Sequence, residues 1–419
     1  MFNKLLLTLA SAALAWAAED QVAAKVVIAG TPMDTAALPR GLVLRSDLGI
    51  ITVPQIDGQI IAHARTRKGG LFETRATITP NGDFLLIYPD GGHYGSTAAK
   101  VNDMLAWRSA DKGKTWNGPK IAFDIDYNQH GFIPLIPHNS RRIYAFGTQP
   151  IPGMFTREHG LQENTPIGFR YSDDDGHTWS EVRIIRPVND PDFRGMSVTR
   201  MTETDSGVWL LGAHTGDWSF KSVVTRQYIL RSEDQGKTWK LLPGPRNGGW
   251  ATNEYGRMEE GRPISLGGGK VLLMTRTGEG HIWALRSKDD GKTWSEPKPT
   301  SLVHPNAPPM VFHLADGKTL IAFTHNNPGT KFGVDRAEIW FATSQDDGET
   351  WSEPRFMFAN ALAESFGSPW RDDTCSYLDM IEEDGVIHLF VPHRWERVLH
   401  LKFHESDLAK FPVKGGLGR

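Results

Sequence analysis

Ser287-Lys288-Asp289-Asp290-Gly291-Lys292-Thr293-Trp294 carries a pattern written five times in this chain. The other copies run Ser109 to Trp116, Ser172 to Trp179, Ser232 to Trp239 and Ser344 to Trp351, each reading S-x-D-x-G-x-T-W. A motif repeated at a spacing of roughly 55 to 63 residues marks a repeat architecture before any single element is read. The motif itself reads as a tight β-hairpin turn. Its Asp accepts hydrogen bonds from backbone N–H groups inside the turn. Its Gly takes the φ > 0 conformation such turns need. Its Trp starts the next strand, with the ring expected against the repeat's own sheet.

Between these turns the sequence alternates strand-like runs with Gly, Asp, Asn and Pro turns, as in Asp83-Phe-Leu-Leu-Ile-Tyr88 after Pro80-Asn81-Gly82. Each repeat has room for about four strands, which fits a propeller blade. The motif resembles the Asp box of the sialidase superfamily, where it joins the third and fourth strands of propeller blades and lies away from the active site. The resemblance therefore implies no catalytic role for Asp111, Asp174, Asp234, Asp289 or Asp346. The expected fold is all-β: a six-bladed propeller of four-stranded antiparallel blades, with seven blades as the alternative. Five blades carry boxes. The stretch Cys375 to Phe403 holds a hairpin without a box and closes a sixth blade with an N-terminal strand.

The 419 residues carry a net charge of −3, which gives no electrostatic case for nucleic acid or an anionic membrane surface. Fourteen Trp is high, but five belong to the boxes; the others suit either a carbohydrate site or sheet packing. Lys4, the apolar run Leu5 to Leu14 and the small residues around Ala15-Trp16-Ala17 read as a secretory signal peptide over 1–18. The run is too short to span a bilayer, and no cysteine follows it to carry a lipid, so no membrane anchor is expected. The location expected is secreted or periplasmic. Cys375 is the single cysteine, so no intrachain disulfide forms. Residues 19–40 read as a lead-in segment, 41–406 as the propeller, and 407–419 as a mobile tail.

Propeller active sites lie at one end of the axis, so the chemistry is sought in charged residues at matching points of different blades. Laid against the sialidase pattern, Arg75 precedes a strand and a Pro-Asn-Gly turn, as does the family's first arginine. Arg276 ends a hairpin with Glu260 sixteen residues before it, a spacing like that of the family's glutamate and second arginine. Arg336 follows Asn326-Asn327-Pro328 and lies eight residues before Ser344, as the third arginine does. The resemblance implies that Arg75, Arg276 and Arg336 bind a sugar carboxylate, with Asn327 beside them. Arginine suits this because its planar fork matches a carboxylate. Tyr377 takes the place of the family's tyrosine nucleophile, with Glu260 as the base that removes its proton. An ungapped count from Gly385 would put Ser376 there instead.

The family's general acid is a loop aspartate of the first blade. The matching stretch here, His93 to Ala99, holds no carboxylate, which leaves His93, Asp90 and Asp103 as candidates. His130 and His214 read as starting the inner strands of the second and third blades. Near Arg75, a histidine base of this kind would suit a polysaccharide lyase acting on uronates. No metal, phosphate or dinucleotide motif is present, so no cofactor is expected; a structural calcium ion is left open. The expected partner is an acidic glycan substrate. The leading expectation is an exo-glycosidase of sialidase type, against a lyase or a non-catalytic glycan-binding propeller.

Overall fold

The computed structural model describes residues 21–64, 70–71, 73–91, 102–125, 132–148, 164–245, 248–329, 335–365 and 374–417. These residues form six antiparallel blades around one axis, so the six-bladed reading holds and the seven-bladed alternative falls. From axis to rim, blade 1 is Arg75–Ile78, Phe84–Gly91, Asn102–Ser109 and Asn117–Ile125, with Gly70–Leu71 also paired to its second strand. Blade 2 is Ile133–Leu135, Ile143–Thr148, Ile167–Ser172 and Arg183–Ile184. Blade 3 is Ser197–Glu203, Trp209–Asp217, Val224–Ser232 and Lys240–Leu242. Blade 4 is Met258–Gly267, Lys270–Thr277, His281–Ser287 and Lys298–Val303.

Blade 5 is Met310–His313, Leu320–Thr324, Glu338–Ser344 and Arg355–Asn360, extended outward by Ile50–Thr52 and Val43–Arg45. Blade 6 is Asp379–Glu383, Val386–His393 and Arg397–His404. Its fourth strand is Asp57–His63 from the other end of the chain, so the ring closes by strand pairing. Closure ties the two ends of the chain into one blade, and the edges left at the rim are the outermost strands of the blades.

Each box is the turn between a third and a fourth strand. Ser287 Oγ donates to Asp289 Oδ1 at 2.8 Å and accepts the N–H of Gly291 at 2.9 Å. Asp289 also accepts the N–H and the hydroxyl of Thr293, at 2.9 and 2.7 Å. The same set recurs around Asp111, Asp174, Asp234 and Asp346. Two successive residues, Asp290 and Gly291 here, are left-handed at φ 55° and 74°, the hairpin geometry that matches strand twist.

The tryptophans depart from expectation, because several cross to the preceding blade. Trp116 of blade 1 meets Phe390 and His400 of blade 6 edge-on, and Trp179 of blade 2 meets Phe123 of blade 1. Trp239 of blade 3 meets Phe146 of blade 2. The box glycines lie at the same junctions. A Cβ on Gly291 would come within 2.7 Å of Leu210 in blade 3, and one on Gly113 within 2.5 Å of His400 in blade 6. The boxes thus join neighbouring blades as well as turning their own strands.

The two terminal segments are more ordered than their composition predicts. Lys25–Ile28 and Thr31–Asp34 pair as a hairpin, and Ile28 and Met33 enter the core shared by blades 5 and 6. The N–H of Ala29 donates to the Glu338 carboxylate. Beyond Asp407, Phe411 is buried against Phe341 and Phe403, so the expected mobile tail is docked over its described residues. The signal-peptide reading falls on residues outside those described. No helix among the described residues is long and apolar enough to cross a membrane.

Replacing Asp289 with Ala removes acceptors for three donors and is expected to cost ~1–2 kcal/mol, read by denaturant unfolding. A second test concerns His388 and His400 in blade 6, whose ring nitrogens lie 2.8 Å apart. Burial lowers their pKa to about 4 and about 3, from an ordinary 6.5. Below pH 6.5 the unfolded chain takes up protons that the fold refuses, so stability drops from there toward the folded values. The melting temperature should therefore decline from pH 6.5 to 4.5; an unchanged value across that range would show that these rings are not held neutral.

Candidate active site

The blade topology fixes where the site lies. First and third strands start, and second strands end, at the same end of the propeller; the box turns lie at the other. Arg75 opens the first strand of blade 1, and Glu260 is third in that of blade 4. Arg276 is next to last in the second strand of blade 4, while Arg336 and Tyr377 each stand two residues before a strand of blade 5 or 6. All five therefore gather at the end opposite the boxes.

There the Tyr377 hydroxyl donates to Glu260 Oε1 at 2.8 Å. Arg276 Nη1 donates to Glu260 Oε2 at 2.8 Å and to the Tyr377 oxygen at 3.2 Å. The phenol oxygen is thus held between a carboxylate and a guanidinium. Ser376 does not take this position: its Oγ lies 3.3 Å from His325 Nε2. The Arg336 guanidinium lies 5.9 Å from the centre of the Tyr377 ring. Asn306 ties both arginines, its side-chain oxygen accepting Arg276 Nε at 2.7 Å and its backbone carbonyl accepting Arg336 Nη2.

Glu260 and Tyr377 are both left-handed, at φ 51° and 65°. Such backbone costs roughly 1–3 kcal/mol per residue and persists only where its surroundings enforce it. It has a direct result here. Successive residues of a regular strand point to opposite faces. The left-handed turn at Glu260, within a register break between Glu259 and Arg262, lets Glu259 and Glu260 both reach Arg276. Glu259 lies 3.2 Å from Arg276 Nε and also accepts from Arg257 at 2.6 Å.

Burial raises the Tyr377 phenol, Glu260 adds to this, and Arg276 and Arg336 oppose it; the pKa ends well above the ordinary value. The resting tyrosine is therefore neutral. Burial also acts to raise Glu259, but Arg257, Arg276 and His214 hold it below the usual carboxylate range. Burial lowers Arg336 to about 10, with the charge of Arg276 adding to the effect, and it remains a cation at neutral pH. Among the described residues Arg336 pairs with no carboxylate, and its Nε has no partner. It is the cation of this group still open to an anionic ligand.

The other candidates lie elsewhere or are already engaged. Arg75 is buried and bonds the Glu73 carboxylate and the carbonyl of Thr74. The Asn327 side chain donates to the carbonyls of His325 and Asp335 and accepts the N–H of Gly329. Its amide is used to shape the loop before Arg336 rather than held out for a ligand. Asp103 is in the third strand of blade 1, in register with Asp90 and Asp124, two strands out from the axis. His214 is in the second strand of blade 3, not at the start of an inner strand. There its Nδ1 accepts the N–H of Glu260 at 3.2 Å, so it buttresses the glutamate strand from behind. His93 and His130 lie outside the described residues. No group of three metal-ligating side chains occurs among the described residues.

A family model described as a BNR repeat-like domain matches residues 194–389. The chain is 24% identical over 371 residues to a sialidase of Bacteroides fragilis, an overlap covering 78% of this chain and 63% of that one. It is 25% identical over 340 residues to a sialidase of Micromonospora viridifaciens, covering 72% of this chain and 48% of the relative. These matches make the chain similar to the sialidase (BNR-repeat) superfamily. It spans less than two thirds of the length of either curated relative. Among solved structures of the superfamily, the Hadza microbial sialidase Hz136 superposes with a TM-score of 0.63 at 19% identity. That overlap covers 85% of this chain and 69% of the other, and speaks for the fold.

Glu259, Arg257 and Asn306 were not singled out from the sequence. Replacing Glu259 with Gln strands the positive charge of Arg257 and Arg276 in a buried site. The expected loss is about 3 kcal/mol in denaturant unfolding, against less than about 0.5 kcal/mol for Asp173→Asn, which breaks the largely exposed pair with Arg142. Equal effects in the two variants would remove Glu259 from the electrostatic framework of the site.

Proposed function

We infer that the protein is a retaining exo-glycosidase of sialidase type, releasing a terminal sialic acid or a related acidic sugar. The observation that supports this most is the Tyr377 hydroxyl, bonded to Glu260 at 2.8 Å and within 3.2 Å of Arg276. Glycosidases commonly use two carboxylates, and a tyrosine nucleophile is the variant suited to a sugar bearing its own carboxylate. An anionic nucleophile would be repelled by that carboxylate, whereas a neutral phenol is not.

Arg336 and Arg276, with Arg75 as the third arginine, hold the substrate carboxylate. Glu260 takes the phenolic proton as the Tyr377 oxygen bonds to the anomeric carbon and the bond to the leaving oxygen breaks. A general acid donates a proton to that leaving oxygen. Water then attacks the glycosyl-tyrosine, its proton goes to the same group in its basic form, and Glu260 returns a proton to the phenolate. His93 is the first residue to test for that group, and Asp103 the second, because it stands two strands out from the axis. Tyr377 returns neutral, as its raised pKa requires. We place the protein outside the cytoplasm on its leader-like N-terminus.

The test is hydrolysis of a fluorogenic aryl sialoside, whose activated leaving group relaxes the need for an acid. Tyr377→Phe is expected to lower kcat by about 10³-fold or more, and Arg276→Ala to lower kcat/KM by about 10²-fold. A fluorinated sialic acid should leave a covalent adduct on the Tyr377 peptide by mass spectrometry. Absence of both turnover and adduct in the wild-type protein refutes the sialidase reading. Uronate polysaccharides, followed through the absorbance of an unsaturated product, then become the substrates to try.

A further inference from the structure

Two residues beyond Glu260 on the innermost strand of blade 4, Arg262 is 1% exposed. All three of its guanidinium nitrogens lack a hydrogen-bond partner among the described residues. That strand runs away from the site, which puts Arg262 deeper along the axis than Glu260. Two other arginines stand near it, Arg75 from blade 1 and Arg200 from blade 3, and two carboxylates, Glu73 and Asp379. The carboxylates are already matched. Glu73 pairs with Arg75, and Asp379 accepts Arg200 Nη1 at 2.9 Å on one oxygen and the N–H of Ala76 at 2.9 Å on the other.

Three guanidinium groups therefore face two carboxylates, and the unmatched charge rests on Arg262. Burial, and then the charges of Arg75 and Arg200, lower its pKa to about 9, which still leaves a cation at neutral pH. Buried polar groups in folded proteins are almost always bonded, and a buried lone charge is among the costliest states a side chain can occupy. Arg262 and Arg200 share the Phe312 ring, their guanidinium carbons 5.5 and 5.1 Å from its centre, so one side of the pair is apolar. Arg200 retains 28% of its side-chain exposure despite belonging to an innermost strand, so solvent and small solutes reach this level. Arg75 Nε is a further buried donor without a partner.

We propose that this level of the propeller axis binds a small inorganic anion of halide size, held by Arg262 together with Arg200. Water alone can satisfy the donors, but it leaves the net positive charge in place; a monovalent anion cancels it. Arg262 makes no hydrogen bond to Tyr377, Glu260 or Arg276. Its anion is read by stability and diffraction, without any measurement of glycosidase activity.

The test is thermal unfolding of the protein at fixed ionic strength, with chloride or bromide exchanged against gluconate, a far larger anion. The melting temperature is expected to rise with halide and saturate, by about 3 °C or more. Arg262→Met should abolish that dependence and, in gluconate, be at least as stable as the wild type. Crystals soaked in bromide should show an anomalous peak within hydrogen-bond distance of Arg262. Equal melting temperatures in chloride and gluconate, an unchanged halide response in Arg262→Met, or bromide confined to the surface with only water at Arg262 would each overturn the proposal. If Arg262→Met does not fold, the wild-type titration and the bromide crystals decide the matter.

Discussion

Everything in this molecule depends on each blade burying both its faces against its two neighbours. A four-stranded sheet alone presents two apolar faces to water, and only the closed ring covers them all. The boxes serve that requirement at the end opposite the site. Their glycines fit against neighbouring side chains where a Cβ would collide, and tryptophans such as Trp116 and Trp179 pack into the preceding blade. With the far end fastened in this way, strand starts at the near end are free to carry polar groups. Glu260, Tyr377 and Arg336 come from three different blades, and their mutual distances are set by how those blades pack.

At the near end the dominant balance is electrostatic. Glu259 and Glu260 face Arg257 and Arg276, two carboxylates against two guanidinium groups, and this set is nearly neutral. Arg336 is additional to it and remains charged although buried. A site of this composition favours a ligand with one negative charge. The Tyr377 hydroxyl donates to Glu260, and the phenol is neutral in this arrangement. The left-handed Glu260 is part of the same arrangement, since ordinary strand backbone would keep Glu259 on the face of its partner Arg276 and turn Glu260 away.

Much of this was legible in the sequence because the signals were local and repeated. Five copies of one turn gave the blade architecture, and the box-free hairpin near the C-terminus gave the ring closure. The spacing of Glu260 and Arg276 around one hairpin, and of Arg336 before a box, located residues that the structure brings together with Tyr377. The remainder depends on non-local geometry. Nothing in Glu259-Glu260 signals that backbone will depart from alternation there, although two acidic residues inside a buried strand were a usable hint. Asn306 acts through a carbonyl as much as through its side chain, and carbonyls carry no sequence signal. The crossing of the box tryptophans, the docking of Phe411 and the true strand of His214 all depend on contacts with other blades or segments.

The closure of blade 6 also has a temporal side. Its four strands come from residues 57–63 and 379–404, so the pairing spans almost the whole chain. During synthesis the first of these strands emerges early and must wait, unpaired, while five blades' worth of sequence is made. Contacts of such sequence separation are slow to form and leave apolar strand edges exposed meanwhile. The ring is therefore an all-or-nothing object in time as well as in space: until residues 379–404 have been delivered, the earlier blades have a gap where the axis should be sealed.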